Sequence, residues 1–268
     1  MRSGVAADSR DTYTLVAEVY DSVYAWKDYR REALRVHALV RRYGLPGART
    51  LLDVGCGTGA HLEELRRWFD PTGLDSSPAM LSVARRRLGP IPLVEGKMES
   101  FRLGRQFDVI TCLFSAIGYV RSKSALGRTL KNFARHLRVG GLALVEPWLT
   151  PEQYRVGGLH LAVSGTKRRP IARMNSDLRR GNVSVMDMHY VVGDRGRVRY
   201  WVERHEMGLF SRATMRAAFH DAGFDVRLLP SGFSTRRGLY VAVKRRSRET
   251  VAPRRGPTAG RRSRPSGP

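Results

Sequence analysis

Residues 53–59 read Asp-Val-Gly-Cys-Gly-Thr-Gly, and Asp75 follows 20 residues after Gly55. Glycines between the end of a strand and the start of a helix let a ligand approach backbone that a side chain would shield. A carboxylate ending the next strand is suited to accept hydrogen bonds from both ribose hydroxyls. Spacing of this kind points to a nucleoside-bearing ligand, and two fit: a dinucleotide and S-adenosylmethionine. Dinucleotide sites carry G-x-G-x-x-G and turn a helix N-terminus toward a pyrophosphate. Here the run is D-x-G-x-G-x-G, with an acid ahead of the glycines. An acid there repels a pyrophosphate and suits the ammonium group of a methionine. The pattern favours S-adenosylmethionine over a dinucleotide, and both over a glycine turn without a ligand.

To position this loop, residues 50–54 (TLLDV) must form a short buried strand. Residues 61–69 must form a helix with Leu62, Leu65 and Trp68 on one side. A second strand ends at Gly73-Leu74-Asp75. Ser77 and Pro78 then open another helix, the hydroxyl as N-cap and the proline in the first turn. Strand-like runs recur at 91–94, 107–114 and 142–146, with a helix at 125–137. Upstream, two helices are expected to about Tyr43, the second with Leu34, His37, Ala38 and Arg41 at helical spacing and stopped by Gly44-Leu45-Pro46-Gly47. Strands alternating with helices imply an α/β fold, a mostly parallel sheet with helices on both faces.

Between about 159 and 210 the pattern alternates by twos. Val183, Val185, Asp187, His189 and Val191 oppose Ser184, Met186, Met188, Tyr190 and Val192. Turn signals stand at Arg180-Gly181-Asn182 and Gly193-Asp194-Arg195-Gly196, the language of antiparallel hairpins. A helix near 211–222 and a strand at 238–243 return to the main sheet. The expected organisation is one α/β domain over 1–243, an antiparallel β lid inserted at about 155–210, and a disordered basic tail at 244–268.

The chain has 268 residues, 42% hydrophobic and 9% aromatic, ample for a core. No run approaches the roughly 20 apolar residues of a membrane span, and the first residues lack the apolar centre of a signal peptide. Two cysteines, Cys56 and Cys112, build neither a disulfide framework nor a four-cysteine zinc site. None of the seven histidines shows metal-ligand spacing, and His189, His205 and His220 are expected on lid strands and a helix surface. No metal is therefore expected, and the cytoplasm is the expected compartment. The net charge is +24, and the tail alone carries nine basic residues against Glu249. Its Pro, Gly and Ser content cannot pack, so it reads first as a solubilising appendage and second as a polyanion contact.

The runs LLDVGCGTGAHL, TGLDSSPAMLSVARRR, FDVITCLFSAIGYV and HLRVGGLALVEPW resemble class I (Rossmann-like) S-adenosylmethionine-dependent methyltransferases. More narrowly, AEVYD near Tyr20, KDY at 27–29, CLFSAIGY at 112–119, VEPW at 145–148 and RGLY at 237–240 resemble the nucleotide-aminosugar N-methyltransferases of antibiotic pathways, such as the desosamine and mycaminose N,N-dimethyltransferases. The likeness runs from about 13 to 243. It implies a small-molecule TDP-aminosugar substrate and a homodimer joined through the lid. It places Asp53, Gly55, Gly57 and Gly59 at the methionine end, Asp75 at the ribose, Lys97 and Met98 beside the adenine, Leu113 beneath the cofactor and Tyr20 over it. It places Tyr13, Tyr29, Trp148, Met174, Asn175, Ser176 and Arg237 around the sugar nucleotide, where a guanidinium fork suits a diphosphate. Arg236 is expected to face solvent.

Two residues depart from the family pattern. Lys97 stands where an aspartate usually accepts a bond from the adenine amino group. Lysine only donates, so a contact of roughly 1 kcal/mol is lost. The Met98 backbone or Glu99 is left to serve the adenine, and weakened cofactor affinity is expected. Tyr119 replaces a histidine, and phenols, with pKa near about 10, are poor bases. In-line transfer from a sulfonium needs orientation above all, worth roughly 7–11 kcal/mol, and Tyr119 is expected to orient the amine. The rival readings are a nucleic-acid methyltransferase, suggested by the charge, and a catalytically silent scaffold, suggested by Lys97. Against the first, Leu113-Phe114-Ser115-Ala116 lacks the Asn/Asp-Pro-Pro-aromatic motif that holds a flipped base.

Overall fold

The computed structural model describes residues 16–233 and 237–246. Tyr13, Arg236 and the expected tail beyond residue 246 lie outside the described residues. The chain opens with a 3-10 turn (Val16–Glu18), α1 (Tyr20–Val23) and α2 (Tyr29–Tyr43). There follow β1 (Thr50–Val54), α3 (Ala60–Leu65), β2 (Asp70–Asp75), α4 (Pro78–Leu88) and β3 (Leu93–Glu95). Next come β4 (Phe107–Cys112), a 3-10 turn (Ala116–Val120), α5 (Lys123–His136) and β5 (Leu137–Val145). Four long strands, β6 (Leu159–Thr166), β7 (Arg169–Arg180), β8 (Val183–Asp194) and β9 (Arg197–Gly208), precede α6 (Arg212–Asp221), β10 (Phe224–Leu229) and β11 (Leu239–Lys244).

The main sheet has the order β10-β11-β5-β4-β1-β2-β3. Its centre is parallel, and β11 runs antiparallel to both β5 and β10. The chain walks outward from β1 through β2 to β3, then restarts at β4 and walks the other way. That reversal opens a crevice at the carboxyl ends of β1 and β4, where α/β sheets bind ligands. Alternate strand residues feed two cores. Leu52, Val54, Ile110, Ala143 and Val145 meet Leu130 and Phe133 of α5 and Phe219 of α6. Leu51, Val109, Leu142 and Leu144 meet Val36 and Leu39 of α2, Leu62 and Leu65 of α3 and Leu81 of α4. Ser77 caps α4 at the Met80 N–H (3.3 Å) with Pro78 in the first turn, as its sequence implies.

The β lid forms a separate antiparallel sheet, β6-β7-β8-β9. Lys167-Arg168, Gly181-Asn182 and Arg195-Gly196 are its two-residue turns between the paired strands. Its inner face, with Ile171, Tyr190, Val192 and Trp201, packs on Val16, Val19 and Val23 of the N-terminal segment and on Met80.

Several expectations shift. Leu34 is 48% exposed, because Ala33, Val36, Leu39 and Val40 form the buried stripe of α2. The helix expected over 61–69 ends at Leu65, since the chain must turn back into β2 within four residues. The strand expected to Phe114 ends at Cys112, because Phe114 and Ser115 take left-handed φ of 50° and 65°. The expected tail begins too early: Lys244 closes β11 and its Nζ donates to the Leu137 carbonyl at 2.7 Å.

Candidate active site

The loop 55–59 follows β1 and starts α3, with Gly55, Gly57 and Gly59 at φ of 75°, 55° and 79°. A Cβ on Gly55 would stand 2.6 Å from Ala116 Cβ, and one on Gly59 2.6 Å from Leu88 Cδ1. A Cβ on Gly57 meets nothing within 4 Å. Two glycines therefore let the loop pack on its neighbours, and the middle one keeps open the space a ligand would enter. Tyr20, Tyr29, Asp53, Cys56, Thr58, His61, Leu113 and Phe114 complete that hollow. Asp75 accepts from the Gly57 N–H (2.8 Å) and the Ser77 N–H (2.9 Å), which fixes its carboxylate at the rim. Asp53, at the end of β1, accepts from the Thr111 hydroxyl at 2.7 Å. Burial pushes both carboxyls up, opposed for Asp53 chiefly by the charge of His61 and for Asp75 by backbone N–H bonds.

The N-terminal segment roofs the hollow. Asp21 accepts from Thr58 Oγ1 (2.8 Å) and Arg87 Nη2 (2.5 Å), tying α1 to the glycine loop and α4. Beneath Tyr29 lies a buried charge cluster in which Glu32 binds both Lys27 and His61, the latter at 2.8 Å. The Lys27 ammonium also sits 5.1 Å from the Tyr29 ring centroid and 4.7 Å from that of Phe114. Burial raises the Glu32 carboxyl, but the His61 hydrogen bond and the His61 and Lys27 charges outweigh it and bring it to about 2. Burial pushes the Tyr29 phenol well up, reinforced by Asp21 and Glu32.

Beyond Phe114 the crevice changes character. Glu146, fully buried at the end of β5, accepts from the Phe114 N–H at 2.7 Å, and Ser115 Oγ donates to the Pro147 carbonyl at 2.7 Å. These bonds hold two consecutive non-glycine residues in a conformation costing roughly 1–3 kcal/mol each. Arg237 donates to Ser115 Oγ (2.8 Å) and stacks 4.3 Å from the Trp148 ring centroid, whose Nε1–H donates to Ser184 (2.9 Å). Burial lowers the Arg237 pKa, with the nearby Glu146 charge opposing. From the lid, Arg173 donates to the Tyr24 hydroxyl at 3.0 Å, and the Tyr24 ring meets Phe114 edge-on at 5.1 Å. Two guanidinium groups thus sit over aromatic rings beside the crevice, Arg173 over Tyr24 at 5.3 Å and Arg237 over Trp148 at 4.3 Å.

Residues 51–141 match the family model described as a methyltransferase domain. The dTDP-3-amino-3,4,6-trideoxy-alpha-D-glucopyranose N,N-dimethyltransferase of Streptomyces venezuelae is 42% identical over 231 residues, 85% of this chain and 97% of that one. The dTDP-3-amino-3,6-dideoxy-alpha-D-glucopyranose N,N-dimethyltransferase of Streptomyces fradiae is 38% identical over 92% of this chain and 98% of that one. The chain belongs to the S-adenosylmethionine-dependent nucleotide-aminosugar N-methyltransferases. Solved members agree in fold. The crystal structure of Streptomyces venezuelae DesVI gives a TM-score of 0.81 at 41% identity, covering 85% of this chain and 98% of that one. The S-adenosylmethionine-bound CalS10, an amino pentose methyltransferase from Micromonospora echinaspora, gives 0.77 at 36%, covering 84% and 96%.

Against the family pattern, Tyr20, Asp53, Gly55, Gly57 and Leu113 line one hollow, with Gly59 behind it and Asp75 at its rim. Tyr29, expected beside the sugar, lines the same hollow. Lys97 is exposed and Met98 packs on the core, and neither lines it. Glu99 is held by Arg128 at 2.7 Å on α5, so its carboxylate is already engaged. Trp148 and Arg237 meet as expected, and Asn175 faces inward, bonded to Asp177 at 3.1 Å. Met174, 44% exposed, and Ser176 fall on the outer face of β7, because strand residues alternate. Arg173, one position earlier, is the β7 residue that reaches Tyr24. The sequence reading also passed over Tyr24, Phe114, the Lys27–Glu32–His61 cluster and the inward aim of His205. Tyr24 and Lys27 stood within or beside the quoted AEVYD and KDY runs, which was the available signal.

Proposed function

We propose that this chain methylates the amino group of a nucleotide-linked (TDP) aminosugar, in the cytoplasm, within antibiotic or secondary-metabolite biosynthesis. The observation that carries the reading is the acid-rimmed glycine hollow lined by Phe114, with Arg237 held on the next residue, Ser115, and Arg173 on Tyr24, whose ring meets Phe114. When bound, S-adenosylmethionine supplies an activated methyl group. Asp75 accepts from the ribose hydroxyls, Asp53 faces the methionine ammonium, and Tyr20 and Leu113 close over and under the hollow. Met98 presents backbone to the adenine, while the Lys97 ammonium offers it no acceptor. Arg173 and Arg237 hold the diphosphate, and Trp148 and Asn175 flank the sugar. Tyr119 orients the acceptor amine, and the roof of residues 16–29 excludes water. The test is incubation with labelled S-adenosylmethionine and a panel of thymidine-diphosphate aminosugars, with RNA as control. Label in an aminosugar and none in RNA is expected; label in RNA alone overturns the reading.

The enzyme also pairs with a second copy through the outer face of the lid. Leu159, Leu161, Val163, Val198 and Tyr200, each 55–75% exposed, share that face with Met174 and Val191. An apolar face of this kind suits the self-complementary contact of a two-fold dimer. Sedimentation of the full chain should give a dimer, and Leu161→Arg together with Val198→Arg should give a monomer.

A further inference from the structure

Tyr119 stands on the 3-10 turn after Phe114 and Ser115, and this turn packs between Trp148 and β9. A Cβ on the adjacent Gly118 would lie 2.8 Å from Met207 Cε and 3.1 Å from Trp148 Cβ. The Tyr119 hydroxyl is 2.8 Å from Nδ1 of His205, which the lid strand β9 aims inward and buries to 2% exposure. Two residues earlier on the same face, Glu203 is 4% exposed and holds the Val16 N–H at 3.0 Å. Its Oε2 lies 3.7 Å from His205 Nε2. The neighbouring strand presents Met186 opposite His205 and Met188 opposite Glu203, both uncharged. The Arg121–Glu206 ion pair lies on the other face of β9. A carboxylate facing Nε2 favours the proton on that nitrogen, which leaves Nδ1 to accept from the Tyr119 hydroxyl.

We infer that Tyr119, His205 and Glu203 form a relay that takes the proton from the acceptor ammonium, with His205 as its terminal acceptor. The inference rests on the reading that the sugar amine lies against Tyr119. In the relay, an N–H bond of the ammonium breaks as a new O–H bond forms on Tyr119. The original Tyr119 O–H breaks as an N–H forms on His205 Nδ1. The amine keeps the electron pair, and the imidazolium is balanced by Glu203. The proton returns through Tyr119 to water once the site opens. His205 acts through Tyr119 and is a positioning and proton-holding residue, while Tyr119 alone touches the substrate. The step removes the obstacle of a protonated acceptor without a base in direct contact.

The test is the pH dependence of kcat for His205→Gln, whose amide oxygen still accepts from Tyr119 but cannot take up a proton. At neutral pH kcat should fall about 100-fold, the lower end for general-base assistance, with both KM values within about threefold. At about pH 9.5, where the free amine needs no base, the deficit should shrink to within about threefold. Tyr119→Phe should show the same recovery, and the double variant should be no worse than either single one. Glu203→Gln, which keeps a side-chain oxygen for Val16, should lose about tenfold at neutral pH and recover likewise. An unchanged His205→Gln, or a loss equal at every pH, overturns the relay. A wild type that turns over no aminosugar defeats the functional reading instead. If His205→Gln does not fold, nitrogen NMR of the wild type decides: a His205 tautomer protonated on Nδ1 overturns the relay.

Discussion

Glu32→Gln is the most informative change to the roof. The Lys27, Glu32 and His61 side chains are 0%, 6% and 9% exposed, so removing the negative charge leaves an ammonium buried with only aromatic faces and an amide for company. Breaking one partner of a buried ion pair costs roughly 3–5 kcal/mol. The titration of Glu32 gives an independent figure. Its carboxyl falls from 4.5 to about 2 on folding, which corresponds to about 3 kcal/mol. A depressed carboxylate stabilises the fold above its unfolded pKa. That stability is lost as pH falls from about 4.5 to about 2. Thermal melts should show Tm lowered by about 10 °C at pH 7. Across the acid window the variant should lack the slope that Glu32 gives the wild type. Lys27→Met with Glu32→Leu should recover to within about 1 kcal/mol of wild type, because an apolar pair often replaces a buried ion pair at no loss. A Glu32→Gln protein melting within about 2 °C of wild type at pH 7 would refute the argument.

Gly57→Ala should weaken S-adenosylmethionine binding at least about tenfold in calorimetry while costing the fold only about 1 kcal/mol, since its Cβ enters open space. Gly59→Ala should do the reverse, losing stability through the Leu88 contact seen in melts. Asp75→Asn should raise Kd for the same ligand about tenfold, two accepted bonds being lost or inverted, and leave the aminosugar KM unchanged. Arg237→Ala should raise KM for the sugar nucleotide about tenfold or more and leave that for S-adenosylmethionine alone. Equal rises in both would remove Arg237 from the diphosphate.

The glycine loop, Asp75 and the alternation of strands with helices were legible because each depends on local chemistry: φ > 0, a strand end, a cap. The lid was legible for the same reason, its Gly181 and Gly196 turns falling between runs of period two. Which lid face turns toward the crevice was not. A strand pattern fixes alternation but not phase, and one position separates Met174, which points outward, from Arg173, which reaches Tyr24. The Phe114–Ser115 turn left no mark because no glycine occupies it, and its strain is held by Glu146 and Pro147, more than 30 residues later. The Lys27–Glu32–His61 cluster joins side chains that meet only when α2 and α3 pack together. His205 read as an ordinary lid residue, and only the fold brings it to Tyr119 across 86 positions. Strand β10 was missed because its pairing partner follows it and runs antiparallel in an otherwise parallel pattern.

The roof has an unusual birth order. Val16 is among the first described residues to leave the ribosome, yet its N–H is held by Glu203, 187 positions downstream. Glu18 likewise waits for Arg169, 151 positions downstream, and for Arg199. Contacts so distant in sequence are slow to form. During synthesis residues 16–18 therefore lack their lid partners until the last lid strand has emerged, although Asp21 already meets Thr58 and Arg87. The crevice is thus fully roofed only late in translation, by a segment made before the sheet it covers.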